Sequence, residues 1–291
     1  MIKNHHKILA AVLVAQIALS VVVFWPRPTT AGQREPLFPD LTEEDVTSLA
    51  IEDDQGNRIA LQKVTGEWVM PDAGDFPAQS EEVEAFLEKL TALTTGQLVT
   101  RSDTSHKRLQ VAANDFARRI AFESSGGTET LYIGSSPQYG SVHFRLEGES
   151  ETYLTNQLTT WDVNASTSDW IDTSYHSVEQ DDVVRFTLEN ASGTLVFERE
   201  DDEGWAMVEP EMAEGEVLNE TQVEAVLRRA ANVTIKSPLG VEKKASYGLD
   251  DPTAEVIMET GDDTVTLTLG AKDEADGSSV VKSSESAYYV H

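Results

Sequence analysis

The sequence predicts an α+β protein in which an N-terminal transmembrane helix precedes two related β-rich domains, each an antiparallel sheet with one packed amphipathic helix. Three observations predict it. One long apolar run opens the chain, strand-like alternation dominates both halves, and the pattern of the first half recurs in the second at a nearly constant spacing. At 291 residues there is room for two cores of ordinary size, neither of which needs a metal or a disulfide to fold.

The apolar run, residues 8–25 (ILAAVLVAQIALSVVVFW), is interrupted only by Gln16 and Ser20. As a helix rising about 1.5 Å per residue it spans roughly 27 Å, close to the thickness of a hydrocarbon core. Lys3 and Lys7, with His5 and His6, precede it. The positive-inside rule therefore leaves residues 1–7 in the cytoplasm and sends the body across. The expected location is the bacterial inner membrane, crossed once, with the body in the periplasm. A cleaved signal peptide is the competing reading. The run is longer than a usual signal core, ends in Phe24-Trp25-Pro26-Arg27-Pro28, and is followed only by the weak small-residue pattern Thr29-Thr30-Ala31. These features favour a retained anchor and leave cleavage open. Residues 26–39, rich in proline, charge and small side chains, read as an extended stalk.

Composition removes several chemistries. Cysteine is absent, which excludes disulfide frameworks, thiolate metal sites, cysteine nucleophiles and lipoprotein processing. The first 34 residues hold Lys3, Lys7, Arg27 and Arg34 and no acid; taking those four from the 22 basic residues leaves 18 against 51 acidic side chains, a formal charge of −33 on residues 35–291. Such a body repels nucleic acid and anionic lipid, so no nucleic-acid partner is expected.

The repeat is visible residue by residue. Residues 49–70 (LAIEDDQGNRIALQKVTGEWVM) read as two alternating strands joined at Gln55-Gly56-Asn57, then a short strand holding Trp68. Residues 183–207 repeat this and end on Trp205. Trp68 and Trp205 occupy equivalent places, so both are expected in the core between sheet and helix. A helix follows each: Val83, Phe86, Leu87, Leu90 and Leu93 share the spacing of Val223, Val226, Leu227, Ala230 and Val233, 140 positions later. Ser80 and Asn219 are the expected helix caps, with Gln222 completing a capping box. Residues 120–134 then correspond to 256–270, and 149–154 to 285–290, all at an offset of 136. The predicted domains are 40–157 and 183–291, with a connector at 158–182 whose Trp161, Trp170 and Tyr175 are expected to dock it.

These residues carry a resemblance. The N-terminal anchor, the hairpin ending in a Gly-x-Trp strand before an amphipathic helix, and Tyr247-Gly248-Leu249-Asp250-Asp251-Pro252 leading to Thr268-Leu269-Gly270 resemble the bacterial family called domain of unknown function 4340. The similarity runs from about Asp40 to His291, and Gly248, Leu249, Asp250, Asp251 and Pro252 are its most specific element. The first-half counterpart, around Arg108 to Val111, has lost the motif. The resemblance implies a non-catalytic envelope protein found alongside ABC-type transport and gliding-motility components, and it supplies no catalytic residues.

No residue is assigned to catalysis, cofactor binding or metal binding. His106, His143, His176 and His291 lack metal-ligand spacing. Ser135 and Ser136, like Ser124 and Ser125, sit in turn sequences without a nucleophile elbow. Asp53-Asp54, Asp201-Asp202 and Asp262-Asp263 each lie near a glycine and read as turns, as does Asp250-Asp251-Pro252. The stretch Asp273-Glu274-Ala275-Asp276-Gly277 has some of the oxygen ligands of a calcium loop without its alternation. The leading expectation is a binding or scaffolding subunit that docks membrane transport or envelope components. The alternatives are an envelope hydrolase with a site between the two domains, and a solute- or cation-binding module.

Overall fold

Alternation in the first half produces a hairpin whose apolar teeth share one face. In β1 (Val46–Asp53) and β2 (Arg58–Val64), Leu49 faces Leu61 and Ile51 faces Ile59, and all four are buried. The turn between them closes on Asp53, whose carboxylate accepts from the Gln55 and Asn57 backbone N–H groups and from the Asn57 side chain. β3 (Glu67–Met70) then carries Trp68 into the core, where it is 1% exposed.

The computed structural model describes Gln16 and residues 35–200, 204–261, 263–274 and 276–291. The expected cytoplasmic segment and anchor, residues 1–25, lie outside the described residues apart from Gln16, which is helical. Among the described residues no helix is long and apolar enough to cross a membrane.

The first unit continues with β4 (Phe76–Pro77), helix α1 (Ser80–Thr91), β5 (Leu98–Thr100), a small hairpin of β6 (Val111–Ala112) and β7 (Asp115–Phe116), then β8 (Arg118–Ser124), β9 (Gly127–Ile133), β10 (Val142–Leu146) and β11 (Thr152–Thr155). Among the described residues nine of these strands form one antiparallel sheet in the order β4-β3-β2-β1-β8-β9-β10-β11-β5. Helix α1 buries Val83, Phe86, Leu87 and Leu90 in the same core as Leu49, Trp68, Phe122 and Ile133. Each such side chain contributes on the order of 1.5–3 kcal/mol by leaving water.

The second unit has β12 (Ser174–Ser177) in its approach, then β13 (Val183–Asn190), β14 (Gly193–Glu200), β15 (Gly204–Glu209), helix α2 (Glu220–Ala231), β16 (Asn232–Thr234), β17 (Pro238–Gly240), β18 (Ala254–Thr260), β19 (Thr264–Lys272), β20 (Ser279–Ser283) and β21 (Tyr289–Val290). β12 pairs with β16, and the other eight form an antiparallel sheet in the order β15-β14-β13-β18-β19-β20-β21-β17. The molecule is thus an α+β protein of two sheet-dominated units. Strand by strand the two orders correspond, and the central ladders share a register: Leu49 faces Phe122 in the first sheet and Phe186 faces Met258 in the second. The first sheet has one strand more, β4, at the outer edge of β3.

Several details depart from the sequence reading. In both units the chain leaves the helix for the far edge of the sheet, lays down a three-residue strand (β5 or β17), and only then returns to the centre. Three residues carry too little periodicity to be read. Ser80 is the first helical residue and not the cap. Gln79 holds the N-cap position, tied through its backbone N–H to Trp170 O and through its side chain to Ile171 O. Asn219 does cap α2, accepting from Gln222 N. Leu93 lies past the end of α1 and Val233 lies on β16. The end of the supposed stalk packs down: Leu37 N–H bonds Leu93 O, and Phe38 meets Phe122 edge-on at 5.3 Å.

The connector is part of the first core, burying Leu158, Val163, Trp170 and Ile171, with Trp170 edge-on to Phe86. It also joins the units. Ile235 and Val290 of the second unit belong to the first core, and Tyr288 places its ring on Phe76 and its hydroxyl on Asp75 O. The Tyr175 hydroxyl donates to Tyr288 O at 2.7 Å and accepts from Ser283 N at 3.0 Å. Removing that one oxygen leaves a part-buried carbonyl and amide without partners. Tyr175→Phe is expected to cost about 1–3 kcal/mol, read as a lower urea midpoint of the second unit. An unchanged midpoint would show that the hydroxyl does not tie the units together.

Candidate functional site

The most specific sequence element forms a turn pressed against a strand. After β17 a short 3-10 turn, Ala245–Tyr247, ends at Gly248, which adopts a left-handed conformation at φ 66°. Two glycines let the backbones touch. A Cβ on Gly270 of β19 would lie 2.0 Å from Tyr247 O, and one on Gly248 would lie 2.9 Å from Ala271 N. Leu249 packs over Gly270, since that same Cβ would come within 2.9 Å of its Cδ2. Tyr247 donates its hydroxyl to Leu239 O on β17 and stacks at a tilt on Tyr289. Asp250 pairs with Lys243 at the surface, where such a pair adds little stability. Asp251 and Pro252, with Glu189, Asn190, Ala191 and Glu255, line an open groove of about 500 Å³ between the turn and the tip of the β13–β14 hairpin.

The first unit builds the same feature from different residues. A Cβ on Gly134 would lie 2.1 Å from Leu109 O, so Leu109, Gln110 and Val111 stand where Tyr247, Gly248 and Leu249 stand in the second unit. Gln110 takes the left-handed conformation, φ 57°, that glycine holds in the other copy. A groove of about 450 Å³ again separates this loop from the hairpin tip, lined by Glu52, Asp53, Asp54, Gln110, Asp115 and Phe116. The loop is held by a clip that sequence reasoning missed. Arg145, buried, donates to Val111 O, Leu146 O and Glu149 O, and its guanidinium lies 4.7 Å from the centre of the Tyr132 ring. Burial and the hydrogen bond to Glu147 push the Tyr132 hydroxyl up to about 12. An arginine on a strand otherwise reading as core was the available signal.

The turn therefore has one backbone geometry in both units and its recognisable letters only in the second. The family described as Domain of unknown function (DUF4340) matches residues 68–252, which run from the first core tryptophan to the proline of the turn. The chain belongs to that family. No curated protein and no solved structure compared with the chain matches it.

Within this family member, several of the residues weighed for chemistry are held in structural contacts, while Asp201, Asp202 and Asp262 lie outside the described residues. Trp68 and Trp205 are both buried under their helices. Asp53 spends its oxygens on its own turn; burial, which alone would raise its pKa, is outweighed by the Asn57 and Gln55 bonds and by Arg118, and the pKa is lowered. Ser135 and His143 do meet, with Oγ 3.1 Å from Nδ1. That same Nδ1 lies 2.8 Å from Ser135 O, a carbonyl that can only accept, so the nitrogen carries a proton and has no room for the serine's. The Ser135 hydroxyl donates to Leu109 O, bracing the first-unit loop. Asp276 of the proposed cation loop pairs with Lys236 and accepts from Ser278. No group of three metal-ligating side chains comes together among the described residues. Trp161 is 85% exposed over a groove of about 370 Å³ lined by Phe86, Lys89, Asp162 and Trp170.

His176 is the group placed to sense acid. It is buried at the junction on β12, with Nδ1 3.3 Å from Glu285 and Nε2 without a partner. Burial lowers its pKa, opposed by Glu285. A folded-state pKa below the unfolded value near 6.5 gives stability that is present above that value and lost as pH falls through the folded pKa. The melting temperature is expected to drop between about pH 7 and pH 5, and His176→Gln to flatten that drop. An equal acid loss in the variant would assign the effect elsewhere.

The glycine positions give a second test. Gly270→Ala and Gly134→Ala force backbone atoms apart and are expected to destabilise by more than about 3 kcal/mol, whereas Gln110→Gly relieves a left-handed non-glycine residue and adds about 0.5–1 kcal/mol. Chemical denaturation of the full chain measures both. A destabilising Gln110→Gly would mean that the glutamine side chain, and not the backbone, carries that position.

Proposed function

We propose that the chain is a membrane-anchored envelope protein whose body lies outside the cytoplasm and serves as a non-catalytic binding or scaffolding subunit beside an ABC-type transport or motility complex. The carrying observation is the charge division of the sequence: a basic N-terminus, one apolar run at residues 8–25, and a body of formal charge −33. The family resemblance supports the association with transport components. The structure lends support through form. Two broad sheets joined through a shared core give a long surface, and their hairpin tips and motif turns frame open, acidic grooves suited to basic segments of a partner.

The hydrolase reading draws nothing from the Ser135–His143 contact, because the nitrogen facing the serine is already a donor. In intact cells a C-terminal alkaline phosphatase fusion is expected to be active, and cross-linking followed by mass spectrometry to recover subunits of a membrane transport or envelope assembly. Activity only from a cytosolic reporter overturns the topology. Recovery of the chain without such subunits overturns the scaffolding role.

A further inference from the structure

Within the chain the two units meet side by side. Residues 71–76, at the β4 edge of the first sheet, lie against β17, the edge strand of the second. Glycines bring the backbones close: a Cβ on Gly74 would come 3.3 Å from Val241 N, and one on Gly240 would come 3.6 Å from the Ala73 carbonyl carbon. Phe76 is consequently 9% exposed, covered by Tyr288.

Because the two sheets share a strand order, each end of the molecule keeps an unused counterpart of this junction. At one end is β5, the counterpart of β17, with Leu98 39% and Val99 45% exposed. At the other end is β15, whose outer edge no strand covers among the described residues, although β4 covers its counterpart β3. The loop after β15 shares four positions with the first unit's junction loop: Pro71, Gly74, Asp75 and Phe76 are matched by Pro210, Gly215, Glu216 and Val217 with two residues inserted. Gly74 and Gly215 both have positive φ. Val217 falls where Phe76 is buried, yet is 90% exposed, and Val208 on β15 is also exposed. Glu209, Glu211, Glu214 and Glu216 crowd the β15 end, while Arg101, Lys107 and Arg108 follow β5 beside Asp103, with Arg101 paired to Glu151 within the chain.

We propose that copies of this chain associate head to tail, the β5 edge of one copy lying along β15 and residues 210–217 of the next, as β17 lies along residues 71–76 within one copy. The occupant is a second copy because the chain itself carries a surface that fits this type of edge, residues 71–76 against β17. Such a contact is heterologous: two different patches meet, and repetition gives chains or rings and not a two-fold dimer. Bare sheet edges are the usual route to such association. The inference is independent of the proposed scaffolding role.

The chain has no cysteine, which permits a direct test on the full-length protein in detergent. Val99→Cys and Val208→Cys are made singly and together, with Tyr139→Cys, fully exposed, as the measure of random collision. Variants are used once their melting temperatures match the parent's. With a short bismaleimide, each single variant is expected to cross-link no more than the Tyr139 control, their mixture to give covalent dimers, and the double variant a ladder of higher species. A mixture that stays at the control level, a single variant that dimerises as readily as the mixture, or cross-linking of Val208→Cys in membranes to a different protein in place of its own copy would each overturn the proposal.

Discussion

Each unit depends on a pairing between strands far apart in sequence. β1 must find β8, with Ile51 facing Ile120, and β13 must find β18, with Leu188 facing Val256. Closing a loop of that length costs entropy that grows only slowly with its size, roughly as (3/2)RT ln n. The cost is offset when the segment inside the loop is itself folded onto the sheet. The helix covers the face, the short strand extends the far edge, and the motif turn lies on β9 or β19. The helix and strands inside that loop therefore add burial to the central ladder beyond its own hydrogen bonds.

The parts legible in the sequence are those in which a side-chain period is long enough to declare itself. The hairpin of Leu49, Ile51, Ile59 and Leu61, the tryptophan at its end and the helical stripe of Val83, Phe86, Leu87 and Leu90 each repeat a pattern over several residues, and each lies where that pattern puts it. The edge strands β5 and β17 are defined by their position relative to β11 and β21 and not by any pattern of their own. The cap of α1 was misread for a related reason. Ser80 has the usual capping side chain, but the helix start is held by backbone and amide bonds from Gln79 to the connector, 91 and 92 residues away in sequence. Leu37 and Phe38 were hidden among prolines and charges, and only the tertiary fold shows the exposed flank of the first core that they cover.

The junction between the units is of the same kind. Nothing in the local sequence of Gly74 or Gly240 marks it, because each glycine has φ > 0 and could serve a turn alone. Their second role, allowing two backbones to approach, appears only when the sheets are placed side by side. Tyr175 and Tyr288 complete it by satisfying polar groups that the packing has removed from water, so the connector between the units is structural on both of its sides. His176 lies in the same layer, buried with Nδ1 beside Glu285 and Nε2 without a partner, so a proton taken up there acts on the junction.

The two motif turns show what the family's most specific residues accomplish. The second unit meets the requirement for a left-handed residue with Gly248, which has no Cβ to clash. The first meets it with Gln110, at a cost of about 1–2 kcal/mol for an L-residue in that conformation. One hydrogen bond from the Arg145 guanidinium to Val111 O, worth about 1.5–3 kcal/mol for a charged donor, is sufficient to offset it, while the bonds to Leu146 O and Glu149 O hold the guanidinium in place. The backbone path is thus the conserved quantity between the two copies, and the Gly-Leu stretch is one solution to it. Asp251 and Pro252 are different, for they line the groove and do not shape the contact with Gly270. The motif divides accordingly into a half that fixes a chain crossing and a half that lines the groove.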